Sequence, residues 1–258
     1  MFVRVEELAK EPYSLLIAYP RPEPGVVKRR IEELRALGIT GLELIGRKSI
    51  GQLKVLGKGH VGIVLAARRE DGSRVALKAR RVDADRATLA HEAKMLKLAN
   101  SVGVGPRLLA HTDDFLVMEF IEGPHIPDWL SARPPRDEVI WVLGRLLEKC
   151  RKLDEIGLDH GELSRAHSHV IIQLRPGARP EPRLVDFESA SDRRRPANLT
   201  SLCQYLFIGG LSGLVASVLG PADREAIIRA LRAYKRSMGP EAFRSVLEAC
   251  GLTGYIAH

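Results

Sequence analysis

The chain has 258 residues, long enough to bury one substantial core or two small ones. Hydrophobic residues make up 45% and charged residues 28%, a balance that excludes a largely disordered chain. Its 40 Lys and Arg against 32 Asp and Glu leave a net charge of +8, which favours acidic partners such as nucleotides, RNA or ribosomes. The basic residues are scattered, so the same charge also describes a solvated face. Cys150, Cys203 and Cys250 are odd in number and never form a C-x-x-C pair, which excludes a disulfide framework or a zinc site and points to a reducing cytoplasm. Arg4, Glu6, Glu7, Lys10 and Glu11 break every apolar run a signal peptide would need. Residues 197–222 carry no charge, yet Gly209, Gly210, Gly213 and Gly220 interrupt them, and a buried helix pair is the better reading than a membrane span. Asn and Gln together number five, the amide-poor, charge-rich bias of heat-adapted proteins.

In chain order, residues 1–20 alternate weakly and end at a hinge-like break of Pro20, Pro22, Pro24 and Gly25. Val27, Ile31, Leu34 and Leu37 then predict a helix over Val26–Leu37, closed by Gly38, and residues 1–48 read as a small N-terminal appendage. From Gly51 the period becomes that of strands: Gln52–Leu56, Ile63–Ala67, Arg74–Ala79 after the Asp71-Gly72 turn, Leu108–His111 and Phe115–Phe120. A helix over Ala84–Ala99 falls between the third and fourth. Beyond Gly123 the chain is mainly helical, with Arg136–Gly157, three or four segments from Leu199 and a last one near Pro240–Cys250. A hairpin of Val170–Leu174 and Arg183–Phe187 interrupts the helices.

Gly57, Gly59, Gly62 and Val64 fit G-x-G-x-x-G-x-V, and Val75-Ala76-Leu77-Lys78 follows across a hairpin. Glycines there let the backbone approach phosphate oxygens that a β-carbon would obstruct. A strand rather than a helix follows the turn, which argues against a Rossmann fingerprint. In order and at this spacing the two motifs resemble the glycine-rich loop and third-strand lysine of protein kinases. The resemblance covers about 51–215 and implies an α+β, protein kinase-like two-lobed fold. Its first lobe, 49–123, would be a five-stranded antiparallel sheet with one helix, and its second, 124–258, a reduced, mainly helical C-lobe.

The same resemblance implies that Glu92 pairs with Lys78, that Glu119 and Ile121 lie where backbone groups meet adenine, and that ATP binds with Mg or Mn. Asp186, in Leu184-Val185-Asp186-Phe187-Glu188, takes the place of the metal-binding D-F-G aspartate. The catalytic loop departs from the family. In Asp159-His160-Gly161-Glu162 a glycine replaces the arginine that reads activation-loop phosphate, and Glu162 stands where the catalytic aspartate belongs, with Asp159 as an alternative. His167, or His169, stands where the family has a metal-binding asparagine; lipopolysaccharide-core sugar kinases also carry a histidine near that position. The absence of an A-P-E motif and the short C-terminal region resemble RIO-type and other small archaeal kinases. The reading is an atypical Ser/Thr kinase of unknown protein or small-molecule acceptor. A sugar or small-molecule kinase, an ATP-binding pseudokinase and an RNA- or ribosome-associated adaptor stay open beside it. Arg193-Arg194-Arg195 either meets an anionic substrate or is a solvated run.

Overall fold

Gly62–Arg69 and Arg74–Arg80 carry the β-branched and small apolar residues of half-buried strands, and the Asp71-Gly72 turn folds one back on the other. Gly72 takes φ +78°, and Asp71 Oδ1 accepts the Ser73 amide at 2.9 Å. The computed structural model describes residues 1–255, which fall into two compact units: Met1–Lys97 with Pro106–Phe120, and Leu98–Gly105 with the chain from Ile121 onward.

The first unit contains, in order, β1 (Phe2–Arg4), a 3-10 turn (Val5–Ala9), α1 (Leu15–Ala18), α2 (Pro24–Ala36), β2 (Ile39–Glu43), β3 (Lys48–Ile50) and β4 (Leu53–Val55). There follow β5 (Gly57–Lys58), β6 (Gly62–Arg69), β7 (Arg74–Arg80), the start of α3 (Ala90–Ser101), β8 (Leu108–His111) and β9 (Phe115–Glu119). One antiparallel sheet runs β1-β2-β6-β7-β9-β8, with β5 also paired to β6.

This sheet differs from the expected five strands in two respects. The strand expected over Gln52–Leu56 is β4, which pairs with β3 in a separate hairpin turned at Gly51, φ +56°. Short β5 instead leads into the glycine turn. The segment 1–48, expected as an appendage, supplies β1 and β2, and β2 pairs with β6. Leu8, Leu16, Ile17, Leu34 and Leu42 are buried in one core with Ile63, Leu65, Leu77 and Val117. Each such side chain gains about 1.5–3 kcal/mol on leaving water, which is why these residues pack onto the sheet.

α2 also sends Arg30 into that interior. Its guanidinium donates to the carbonyls of Ile17 and Arg80 and lies 2.6 Å from Asp114 Oδ1; Arg80 reaches the same carboxylate at 2.8 Å. Burial alone would raise the Asp114 carboxyl, but Arg30 and Arg80 outweigh it and hold its pKa below the ordinary value. α3 begins at Ala90, later than the expected Ala84. The Leu89 amide is taken by the Asp113 carbonyl and the Arg86 carbonyl by the Arg80 side chain, which keeps the preceding residues out of the helix.

The second unit contains the end of α3, α4 (Ile126–Ser131), α5 (Arg136–Glu155), a 3-10 turn (Leu163–Ser168), β10 (Val170–Gln173), β11 (Glu181–Leu184), α6 (Asn198–Phe207), α7 (Ser212–Leu219), α8 (Arg224–Ser237) and α9 (Pro240–Ala249). The uncharged stretch 197–222 forms α6 and α7, bent by 70° at their junction. Among the described residues no single helix is long and apolar enough to cross a membrane. α6 buries Leu199, Leu202, Cys203 and Leu206. β10 and β11 pair antiparallel, and β11 ends at Leu184 rather than at the expected Phe187, so Asp186 follows the strand.

Candidate functional site

In the first unit β6 and β7 place Val64 opposite Lys78, directly after the glycine turn. The turn is closed by the Gly59 amide donating to the Gly62 carbonyl at 2.9 Å. Gly62 is glycine for reasons of space: a β-carbon there would stand 2.9 Å from Lys78 Cε and 3.0 Å from the Ala79 carbonyl oxygen. Gly57 lies over Val64, which a β-carbon would meet at an ordinary 3.5 Å. The lysine stem therefore passes directly beneath the turn. Its Nζ lies 3.0 Å from Oε1 and 2.8 Å from Oε2 of Glu92 on α3, with both side chains almost wholly buried. A buried ammonium needs such a partner, because desolvation without one costs several kcal/mol.

The second unit gathers the other expected residues around the loop that follows α5. His160 is fully buried, and burial, with His169 beside it, pushes its pKa down to about 4. The ring is thus neutral near pH 7, with Nε2 donating to the Val185 carbonyl at 3.2 Å. It packs at a tilt against Phe187, ring centres 4.8 Å apart and planes inclined by 53°. Asn198, at the start of α6, accepts the His160 amide at 2.8 Å and donates to the Leu158 carbonyl and to Asp154 Oδ1. Gly161 has φ +88°, and a β-carbon there would lie 2.7 Å from the Ser189 carbonyl oxygen, which leaves no room for a side chain at this position.

Glu162 Oε1 accepts the Ser189 hydroxyl at 2.7 Å. Asp159 is tied elsewhere: it lies 3.0 Å from Arg194 and exchanges backbone hydrogen bonds with Ser191. Asp186 adopts φ +68°, an uncommon backbone for a residue with a β-carbon and one that clusters at functional positions. Its carboxylate is 45% exposed, and Oδ2 lies 4.0 Å from His169 Nδ1, a buried nitrogen without a hydrogen-bond partner. His167, in the adjoining 3-10 turn, is exposed. Between the two histidines, His169 is the one that the fold brings to Asp186.

No protein-family profile matches the chain. Over 121 residues, 45% of its length, it is 28% identical to the probable serine/threonine-protein kinase zyg-1 of Caenorhabditis briggsae. The match spans 17% of that protein. The relationship is kinase-like, distant and partial. It carries no information on a RIO-type or archaeal type.

Among the described residues no group of three or more His, Cys, Asp or Glu side chains could hold a metal ion. The Asp186 carboxylate and the unsatisfied His169 nitrogen nevertheless fit a divalent ion whose remaining ligands are phosphate oxygens and water. The Glu119 amide donates to the Arg107 carbonyl at 2.8 Å, and Ile121 is partly buried. Gly123 is forced by a close approach, since its β-carbon would fall 2.0 Å from the Ile172 carbonyl oxygen. Of the arginine run, Arg194 holds Asp159 and the Ser189 carbonyl, and Arg195 donates to the Lys235 carbonyl. Beside the 3-10 turn an open pocket of about 350 Å³ is lined by Ser164, Ser201, Gln204, Tyr205 and Arg224 among others.

Sequence reasoning missed Ser189, Asn198 and Asp154. Buried polar residues at the end of one helix and the start of another are the signal that marks Asp154 and Asn198 in retrospect.

Proposed function

We propose that this chain is an ATP-dependent phosphotransferase that moves the γ-phosphoryl group to a hydroxyl, as an atypical Ser/Thr kinase. The observation that carries the reading is the buried Lys78–Glu92 pair beneath a glycine turn whose last glycine is demanded by the lysine itself. In this reading Lys78 orients the phosphates and Glu92 fixes its ammonium. Gly57, Gly59 and Gly62 admit phosphate oxygens to the backbone. Asp186, with His169, holds a divalent metal, which when bound neutralises phosphate charge. Glu162 orients the acceptor hydroxyl. The amide-poor composition and the three unpaired cysteines fit a heat-adapted protein of a reducing cytoplasm.

The test is transfer from γ-labelled ATP with Mg or Mn, by the wild type and by Lys78→Met, with and without extract of the source organism. Equal labelling by folded wild type and variant removes the kinase reading. One observation favours a second reading, nucleotide binding without transfer: the Glu162 carboxylate is already engaged by Ser189. ATP binding without labelling of any acceptor would select it.

A further inference from the structure

The glycine turn is held from outside by a residue of the N-terminal segment. Lys58, between Gly57 and Gly59, donates from Nζ to the Tyr19 hydroxyl at 2.8 Å, and its ammonium stands 4.4 Å from the centre of the Tyr19 ring. Arg81, just past β7, places its guanidinium 5.1 Å from the same ring centre and donates to the Gly59 carbonyl at 3.0 Å. That guanidinium is fixed in turn by Asp83, at 2.8 and 2.7 Å. The backbone closes the arrangement: the Val82 amide donates to the Tyr19 carbonyl and the Arg81 amide to the Val61 carbonyl. One aromatic ring thus receives two cations, one carried by the glycine turn itself and one bonded to its Gly59 carbonyl.

We propose that Tyr19 is a positioning residue that latches the glycine turn through Lys58 and Arg81, setting where its backbone meets nucleotide phosphates. The phosphate role rests on the kinase reading above; the latch itself does not. Glycines give the turn the room a phosphate needs, and the same glycines leave it loose. A clamp outside the turn restores order without placing a side chain where phosphate oxygens go. Tyr19 is partly exposed, so its ring contributes less to the core than the fully buried Leu16 and Ile17 beside it.

The experiment has two arms, run on wild type, Tyr19→Phe, Tyr19→Ala and Lys58→Met. The first is amide hydrogen exchange over residues 57–62 without nucleotide. The second is the Kd of a non-hydrolysable ATP analogue with Mg, with thermal midpoints as the control for folding. Tyr19→Ala is expected to speed exchange in the turn and to weaken the analogue about fivefold. Tyr19→Phe keeps the ring and retains most of both properties. Unchanged exchange in folded Tyr19→Ala overturns the latch. If Tyr19→Ala does not fold, unchanged exchange in Lys58→Met overturns it instead. A wild type that fails to bind the analogue removes the nucleotide reading, while the exchange arm still decides the latch.

Discussion

The candidate residues of the two units are held by different physics. In the first unit charge answers charge: Lys78 meets Glu92, and Asp114 meets the buried Arg30 and the partly buried Arg80. In the second, neutral donors and backbone hold His160 and Asp154, while Asp159 meets a cation, Arg194. His160 is kept neutral by burial, and Asp154 takes its hydrogen bonds from Asn198, Leu199 and Tyr234 rather than from a cation. Asp186 is left half in solvent. Buried ion pairs fix a geometry but tolerate the loss of either partner badly, whereas a half-exposed carboxylate such as Asp186 stays within reach of solvent. The first arrangement suits a permanent contact; the second is where the proposed metal role of Asp186 would have to be met.

The largest effect that would break this contrast lies at Lys78. Lys78→Met is expected to lower phosphotransfer by about 10²–10³-fold or more, measured by label transfer at saturating ATP. Glu92→Leu removes the lysine's carboxylate partner on α3, and should cost about 3–5 kcal/mol in urea unfolding. A Glu92→Leu chain as stable as wild type would show that the pair is not sealed.

Glu162→Gln is next. It should reduce kcat by about 10²-fold with ATP affinity nearly unchanged, and Asp159→Asn should not. Single-turnover transfer and ATP titration separate the two, and a dead Asp159→Asn beside a normal Glu162→Gln would reverse their roles. A smaller effect, about tenfold, is expected for His169→Ala, read as a change in the ratio of Mn- to Mg-supported turnover; His167→Ala should leave that ratio unchanged.

The smallest effect sharpens the contrast by pH. Asp114 has a lowered pKa, so its contribution is present above the unfolded-chain value near 4 and is lost as pH falls through the folded value. Burial raises Asp154 despite its hydrogen bonds, so its contribution is present below about 4 and lost as pH rises through the folded value. Urea midpoints from about pH 3 to 7 should therefore show Asp114→Asn most costly at the neutral end, and Asp154→Asn relatively better tolerated there than in acid.

The glycine turn, Lys78 and the phase of Glu92 on α3 are legible in sequence because strand alternation and helical repeat are local rules. Tyr19 and Lys58 lie 39 positions apart, and Arg30 and Asp114 are 84 apart. Nothing in local periodicity joins such partners, and for that reason residues 1–48 read as an appendage. The choice between His167 and His169 was similarly closed to counting. It turns on where the 3-10 turn ends and β10 begins, one residue beyond His169. The left-handed backbone of Asp186 cannot be read from its type alone: Asp tolerates that conformation better than most residues but adopts it only where the surrounding chain imposes it.

Gly161 also bears on descent. With φ +88° and the Ser189 carbonyl only 2.7 Å from where a β-carbon would stand, arginine cannot enter this position by a single substitution without displacing the chain at Ser189. Arg194 already spans that neighbourhood, joining the Ser189 carbonyl to Asp159. Any side chain larger than glycine at this position therefore has to be accompanied by a shift of the Ser189 backbone and of the Arg194 side chain.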